Sequence, residues 1–152
     1  MEFEIAKKLE KVPSNVKGNS LRSIKADGDA AQMIIVADAY GDIKNSVENF
    51  RMATNADIAF RMRGKSIDIS VMGENALIKL AEFAKGISFN SEDSMDVLEF
   101  INKNMPLDGC EFIEMDMDQT RMKMIFKANE LTDELQANIM AKLDEFNMGI
   151  VK

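Results

Sequence analysis

The sequence predicts an α+β fold: antiparallel β-hairpins alternating with α-helices in repeated ββα-like units, with the helices packed on one face of the sheet. Three observations lead there. Paired short segments alternate apolar with polar residues across turn-forming residues, the period-two signature of half-buried strands. Between these pairs, apolar residues recur every three or four positions, as on one face of a helix. In two of the pairs, the register that faces apolar side chains together also sets opposite charges across from each other.

Residues 1–19 admit two readings. Phe3 and Ile5 alternate like a strand, whereas Ile5, Leu9 and Val12 fit a helix; Pro13 to Asn19 reads as a loop. The first hairpin joins 20–26 to 31–37 through the turn-forming cluster Asp27-Gly28-Asp29. A helix follows over 42–53, with Ile43, Val47 and Phe50 on one face and Asp42 as its N-cap. In the second hairpin Ile58, Phe60 and Met62 alternate with Ala59 and Arg61, and Ile67, Ile69 and Val71 alternate with Asp68 and Ser70. A two-residue turn at Gly64-Lys65 puts glycine at the first central position, as a type II′ turn requires. That register sets Met62 opposite Ile67, Phe60 opposite Ile69 and Ile58 opposite Val71, with Arg61 meeting Asp68 on the other face.

Two helices come next. One spans 74–85, carries Leu77, Leu80, Ala81 and Ala84, and stops at Gly86. The other spans 92–104, begins after Ser91 with Glu92 and Asp93 at its positive end, and cannot pass Pro106. The third hairpin turns at Gln119-Thr120. It pairs Met117 with Met122, Met115 with Met124 and Ile113 with Phe126, while Asp118 meets Arg121 and Asp116 meets Lys123. The last helix, 133–147, starts after Thr132 and carries Leu135, Ile139, Leu143 and Phe146; Gly149 follows. Ser46-Val47-Glu48-Asn49-Phe50 before the second hairpin echoes Asp96-Val97-Leu98-Glu99-Phe100 before the third. The chain reads as a single compact domain, 1–152, with two pseudo-related halves, 1–86 and 87–152, left open.

Composition narrows the chemistry. Of 152 residues, 46% are hydrophobic and 30% charged, which suits a packed core. The apolar run Met33 to Ala37 is too short to span a bilayer, and the start Met-Glu-Phe-Glu lacks the pattern of a secretory signal, so no membrane partner is expected. Cys110 is the single cysteine, which suits a reducing, cytoplasmic setting. Histidine is absent, and with it the commonest general base and metal ligand, so no cofactor, no metal and no enzyme activity are expected. The 13 methionines fill core gaps or, on the alternative reading, form an adaptable binding surface.

Charge is uneven. Residues 1–76 carry 11 basic and 11 acidic side chains; residues 77–152 carry 8 and 15, the source of the whole net charge of −7. An acidic half repels phosphate and attracts basic proteins. The candidate protein-binding residues are therefore Asp108, Glu111, Glu114, Asp116 and Asp118 around the first strand of the third hairpin, with Asp96 and Glu99 on helix 92–104. The alternative site is the basic turn 61–66, where Arg61, Arg63 and Lys65, with Arg51 nearby, could grip phosphate or a nucleic-acid backbone. Gly64-Lys65-Ser66 lacks the upstream glycine and the following helix of a phosphate-binding loop. Cys110 has no histidine to activate it and acidic neighbours that raise its pKa, so it reads as structural.

Asp68-Ile69-Ser70-Val71-Met72-Gly73, after a strand and before a helix, resembles the regulatory-serine region of bacterial histidine-containing phosphocarriers, as does the strand–helix–strand–strand–helix order over 33–85. The resemblance implies a local fold and no activity, because the phosphorylated histidine of that family has no counterpart here. The reading that follows is a non-enzymatic protein-binding regulator, inhibitor or assembly factor acting through the acidic C-terminal half. The alternative is a nucleic-acid-binding regulator using the tip 61–66. The partner is another protein with a basic surface; homo-oligomers stay open.

Overall fold

The computed structural model describes residues 1–10, 17–37 and 40–151. In chain order its elements are β1 (Glu2–Lys8), β2 (Ser20–Asp27), β3 (Ala30–Val36), α1 (Tyr40–Thr54), β4 (Asp57–Arg63) and β5 (Ser66–Met72). Then come α2 (Ala76–Ala84), α3 (Glu92–Asn104), β6 (Cys110–Met117), β7 (Arg121–Ala128), α4 (Asp133–Leu143), a 3-10 turn (Asp144–Phe146) and β8 (Gly149–Val151). The fold is α+β, with four α-helices and one eight-stranded antiparallel sheet in the order β4-β5-β3-β2-β6-β7-β1-β8.

The three hairpins form where alternation and turn chemistry agree. β2 and β3 close on Gly28-Asp29, and β4 and β5 on Gly64-Lys65. Gly28 has φ +58° and Gly64 φ +62°, the conformation that the first central position of a II′ turn demands. The second hairpin has the expected register throughout: Met62 faces Ile67, Phe60 faces Ile69, Ile58 faces Val71 and Arg61 faces Asp68. β6 and β7 turn at Gln119-Thr120, residues without intrinsic turn preference. Asp118 supplies what they lack, since its Oδ1 accepts the backbone N–H groups of Thr120 at 2.7 Å and Arg121 at 2.8 Å.

One expected pairing is corrected. Phe112, not Ile113, lies opposite Phe126, and Glu114 follows opposite Ile125, so Ile113 is the extra residue of a β-bulge. The bulge swaps which of the two adjacent apolar side chains points inward. Phe112 is buried with its ring 5.5 Å from that of Phe126, edge to face, while Ile113 is only half-buried. A second irregularity in β2 falls at Arg22, between Leu21 and Ser23.

Helix limits follow their caps. Ser91 Oγ accepts the Asp93 N–H and Thr132 Oγ1 accepts the Leu135 N–H, as expected for α3 and α4. α2 is shorter than 74–85 because Asn75 is in the left-handed conformation, φ +60°. α4 ends at Leu143 rather than 147; the chain tightens into the 3-10 turn and Asn147 adopts φ +56°. Asp42 lies inside the first turn of α1 rather than capping it. In the N-terminal segment the strand reading of Phe3 and Ile5 holds, as β1; Val12 and most of the Pro13 to Asn19 loop lie outside the described residues.

Inward residues of the sheet and the apolar faces of the helices form one buried cluster. Ile5, Ile24, Met33, Ile35, Ile67, Ile69, Met115, Met122, Met124 and Phe126 come from the strands, and Val47, Leu80, Val97, Leu98, Phe100, Ile101 and Leu143 from the helices. Buried methionines on β3, β6 and β7 fill this core, as their unbranched side chains suit. Strand order joins both halves of the chain, because β1 pairs with β7 and β2 with β6. No helix among the described residues is long and apolar enough to cross a membrane.

The bulge makes a prediction. Phe112→Ala should destabilise the protein by about 3–5 kcal/mol, as for a buried aromatic, and Ile113→Ala by under about 1.5 kcal/mol. Urea denaturation of both variants measures the difference; equal losses would place Ile113 inward after all.

Candidate functional site

Strand β6 carries Glu111, Glu114 and Asp116 of the carboxylates singled out by sequence, and the sheet sets each opposite a lysine without bringing it to ion-pair distance. Glu111 lies opposite Lys127, Asp116 opposite Lys123, and Glu114 opposite Lys25 of β2. Asp118 accepts hydrogen bonds from the backbone of Thr120 first, then of Arg121, and from the Thr120 hydroxyl; these hold its carboxyl below the usual range. The acidic strand is thus one row in a field of alternating charges; Lys25, from another hairpin, and Lys127, brought opposite Glu111 by the bulge, were the members that hairpin-level reasoning did not supply.

Asp96 has a structural task. Lys7, on β1, points to the core side of the sheet and is buried. Its Nζ contacts Asp93 Oδ1 at 2.9 Å and Asp96 Oδ2 at 3.0 Å, so α3 is tied to the sheet through the first turn of the helix. Burial pulls the Lys7 pKa down, but the hydrogen bonds and charges of Asp93 and Asp96 outweigh it and the net shift is upward. Glu99 is exposed further along α3, and Asp108 is exposed in the loop before β6.

The basic cluster is partly spent as well. Arg51, in the last turn of α1, donates through Nε at 3.2 Å, and through Nη2, to the carbonyl of Ile58. Arg63 Nε contacts Oδ2 of buried Asp68 at 3.1 Å. The remaining oxygen of that carboxylate, Oδ1, is buried without a hydrogen-bond partner among the described residues. Arg61 and Lys65 are exposed and make no ion pair among the described residues. Of the four basic candidates, two are free to meet a ligand.

Cys110 is half-buried, and burial raises its thiol pKa. It borders a groove of about 360 Å³ between Gly28-Asp29, the start of α2 and Pro106, with Asp29, Glu74 and Glu111 also on the lining. A second groove, about 460 Å³, lies between the end of α3 and α4, lined by Lys103, Leu107, Asp108, Leu135 and Ile139 among others. Among the described residues no three His, Cys, Asp or Glu side chains gather as metal ligands would.

Sequence reasoning missed exposed apolar residues at edge strand β4. Met62 is 50% exposed and Tyr40 38%, and the Tyr40 ring sits 5.8 Å from that of Phe60. Met62 has the inward parity of Phe60 and Ile58, yet the edge position leaves it open to solvent.

The Lys7 and Asp118 shifts fix pH limits of opposite sign. Lys7 binds its proton more tightly when folded, so its contribution is fully present below the unfolded value of 10.5 and fades as pH rises through the higher folded one. Asp118 loses its proton more readily when folded, so its contribution is present above 3.8 and fades as pH falls below that. Thermal melts of the native chain and Lys7→Met from pH 8 to about 12 should converge at the alkaline end; a constant gap would refute the coupling.

No family model matches the chain, and no curated protein matches it in sequence.

Proposed function

We propose that the protein is a non-enzymatic protein-binding regulator, inhibitor or assembly factor whose partner presents a basic surface. The observation that carries this reading is the distribution of unpaired carboxylate. On β6, Glu111, Glu114 and Asp116 are also outside ion-pair distance of any base among the described residues, but each stands opposite a lysine on a neighbouring strand. On α3, α4 and their loops, Glu92, Glu99, Asp108, Glu130, Glu134 and Asp144 are exposed and lie outside ion-pair distance of any base among the described residues. On these two helices, Lys103 is already held by Glu145 at 2.8 Å, which leaves Lys142 as the other base.

In this reading the chain is one compact domain of ββα-like units whose helices cover the apolar face of the sheet. The acidic surface then lies on the helical side, around an α3–α4 groove that is lined by Leu107, Leu135 and Ile139 with Lys103 and Lys142 balancing Asp108 and Glu145. Such a surface draws a basic partner by long-range attraction and holds it by burying apolar area. A histidine-free chain whose one thiol has its pKa pushed up by burial supports a binding role over catalysis, in a reducing, cytoplasmic setting. The nucleic-acid alternative at 61–66 has less support, because Arg51 and Arg63 already have partners.

Capture on immobilised protein from the native host extract should retain a partner at low salt and release it as salt rises. Glu99→Lys with Asp108→Lys and Glu134→Lys should lower retention by about tenfold or more. Retention of nothing at low salt, or undiminished retention by the triple variant, would sink the acidic-surface reading.

A further inference from the structure

We propose a second interaction surface: the free edge of β4, from Phe60 to the Gly64-Lys65 turn, takes an extended acidic segment of another protein as an added strand. This goes beyond the acidic helical face and requires the opposite partner chemistry.

β4 is the outermost strand on its side of the sheet, so half of its backbone groups have no neighbouring strand to bond. Ile58 shows which half. Its carbonyl accepts the Arg51 guanidinium from α1, and its N–H turns to the Ala56 carbonyl at 3.1 Å, so neither faces β5. Antiparallel strands alternate residue by residue, and Phe60 and Met62 therefore also point their N–H and C=O outward. The two-residue turn agrees, since it closes on a hydrogen-bonded pair, Arg63 with Ser66, which leaves Met62 in the outward phase. Among the described residues no turn, loop or side-chain hydrogen bond reaches the backbone of Phe60 or Met62. Arg51 closes one end of the edge, and the open stretch runs from Phe60 to the tip.

Side chains beside this edge specify the occupant. On one face Phe60, Met62 and Tyr40 offer apolar contact. On the other Arg61 projects, with Lys65 at the turn and Arg63 between them already bound to Asp68; Asp57, the one acidic residue of β4, lies beyond the end that Arg51 closes. An added strand alternating carboxylates with apolar residues matches both faces at once. A second copy of the same edge would set Arg61, Arg63 and Lys65 against their own kind. Nucleic-acid phosphates could meet the cations but cannot donate to the outward carbonyls, whereas a peptide backbone supplies donors and acceptors in the required alternation.

The test uses fluorescence anisotropy with the full chain and three probes: a labelled peptide alternating Glu with Ile, its Lys-for-Glu counterpart, and an oligothymidylate. The acidic peptide should bind and the basic one should not. Met62→Pro deletes an outward N–H without touching the β4–β5 ladder and should weaken binding by about tenfold. Arg61→Gln should weaken it by about threefold, and decides the matter if the proline variant does not fold. Glu99→Lys should leave this binding unchanged, so failure here and failure of the acidic helical surface are separate results. No binding of the acidic peptide, equal binding by Met62→Pro in its folded form and Arg61→Gln, or binding of the oligonucleotide alone would overturn the proposal.

Discussion

Three residue pairs between β2 and β6 hold two four-stranded halves in one sheet: Ser23 with Asp116, Ile24 with Met115 and Lys25 with Glu114. Their register decides everything on either side. It turns Ile24 and Met115 into the common core and leaves Lys25 beside Glu114 on the opposite surface. A slip of one residue would bury Lys25 or Glu114 and expose Met115, a cost no neighbouring contact could offset. The bulge at Ile113 lies directly beside this joint, so β6 meets β2 with the correct parity while still pointing Phe112 inward further along.

The strand order around the joint reads the same way in both directions. Moving outward, β2, β3, β5 and β4 have β6, β7, β1 and β8 as counterparts. In each half a hairpin lies next to the joint, and a helix, α1 or α4, leads from it to the outermost strand. β8 pairs antiparallel with β1 as β4 does with β5. This arrangement sets α1 against α4, whereas the local sequence echo sets residues 46–50 against 96–100, which belong to α1 and α3. Topology and sequence thus single out different helix pairs, and the topological match does not draw support from the echo.

What the sequence disclosed depended on range. The β4–β5 register was legible because side-chain parity and a glycine at the turn act within 15 residues and agree, although the ion pair to Asp68 comes from Arg63 rather than from Arg61 opposite it. Ile113 misled because Phe112 and Ile113 are both apolar and adjacent, so alternation alone cannot choose between them. The N-terminal strand carries a lysine at an inward position, and its partners Asp93 and Asp96 lie far away in sequence. Arg51 and Arg63 looked like free cations because an ion pair or a carbonyl contact leaves no mark on composition. The acidic strand read as a row of carboxylates alone because Lys25, its register partner at Glu114, comes from another hairpin.

The edge residues show how one set of charges can serve two ends. An open strand beside exposed apolar side chains is a hazard, because identical chains can pair through it. Arg61, Arg63 and Lys65 oppose such pairing by placing like charges face to face, and Arg51 removes one carbonyl from the template. Those same cations reward a strand that carries carboxylates, and the protein's own surplus carboxylates, held on helices α3 and α4, are in the wrong backbone conformation to be that strand. Protection against self-association and selectivity for a foreign acidic segment then follow from a single arrangement, in which the sign of the charge excludes one occupant and favours the other while the outward peptide groups supply the same hydrogen bonds to either.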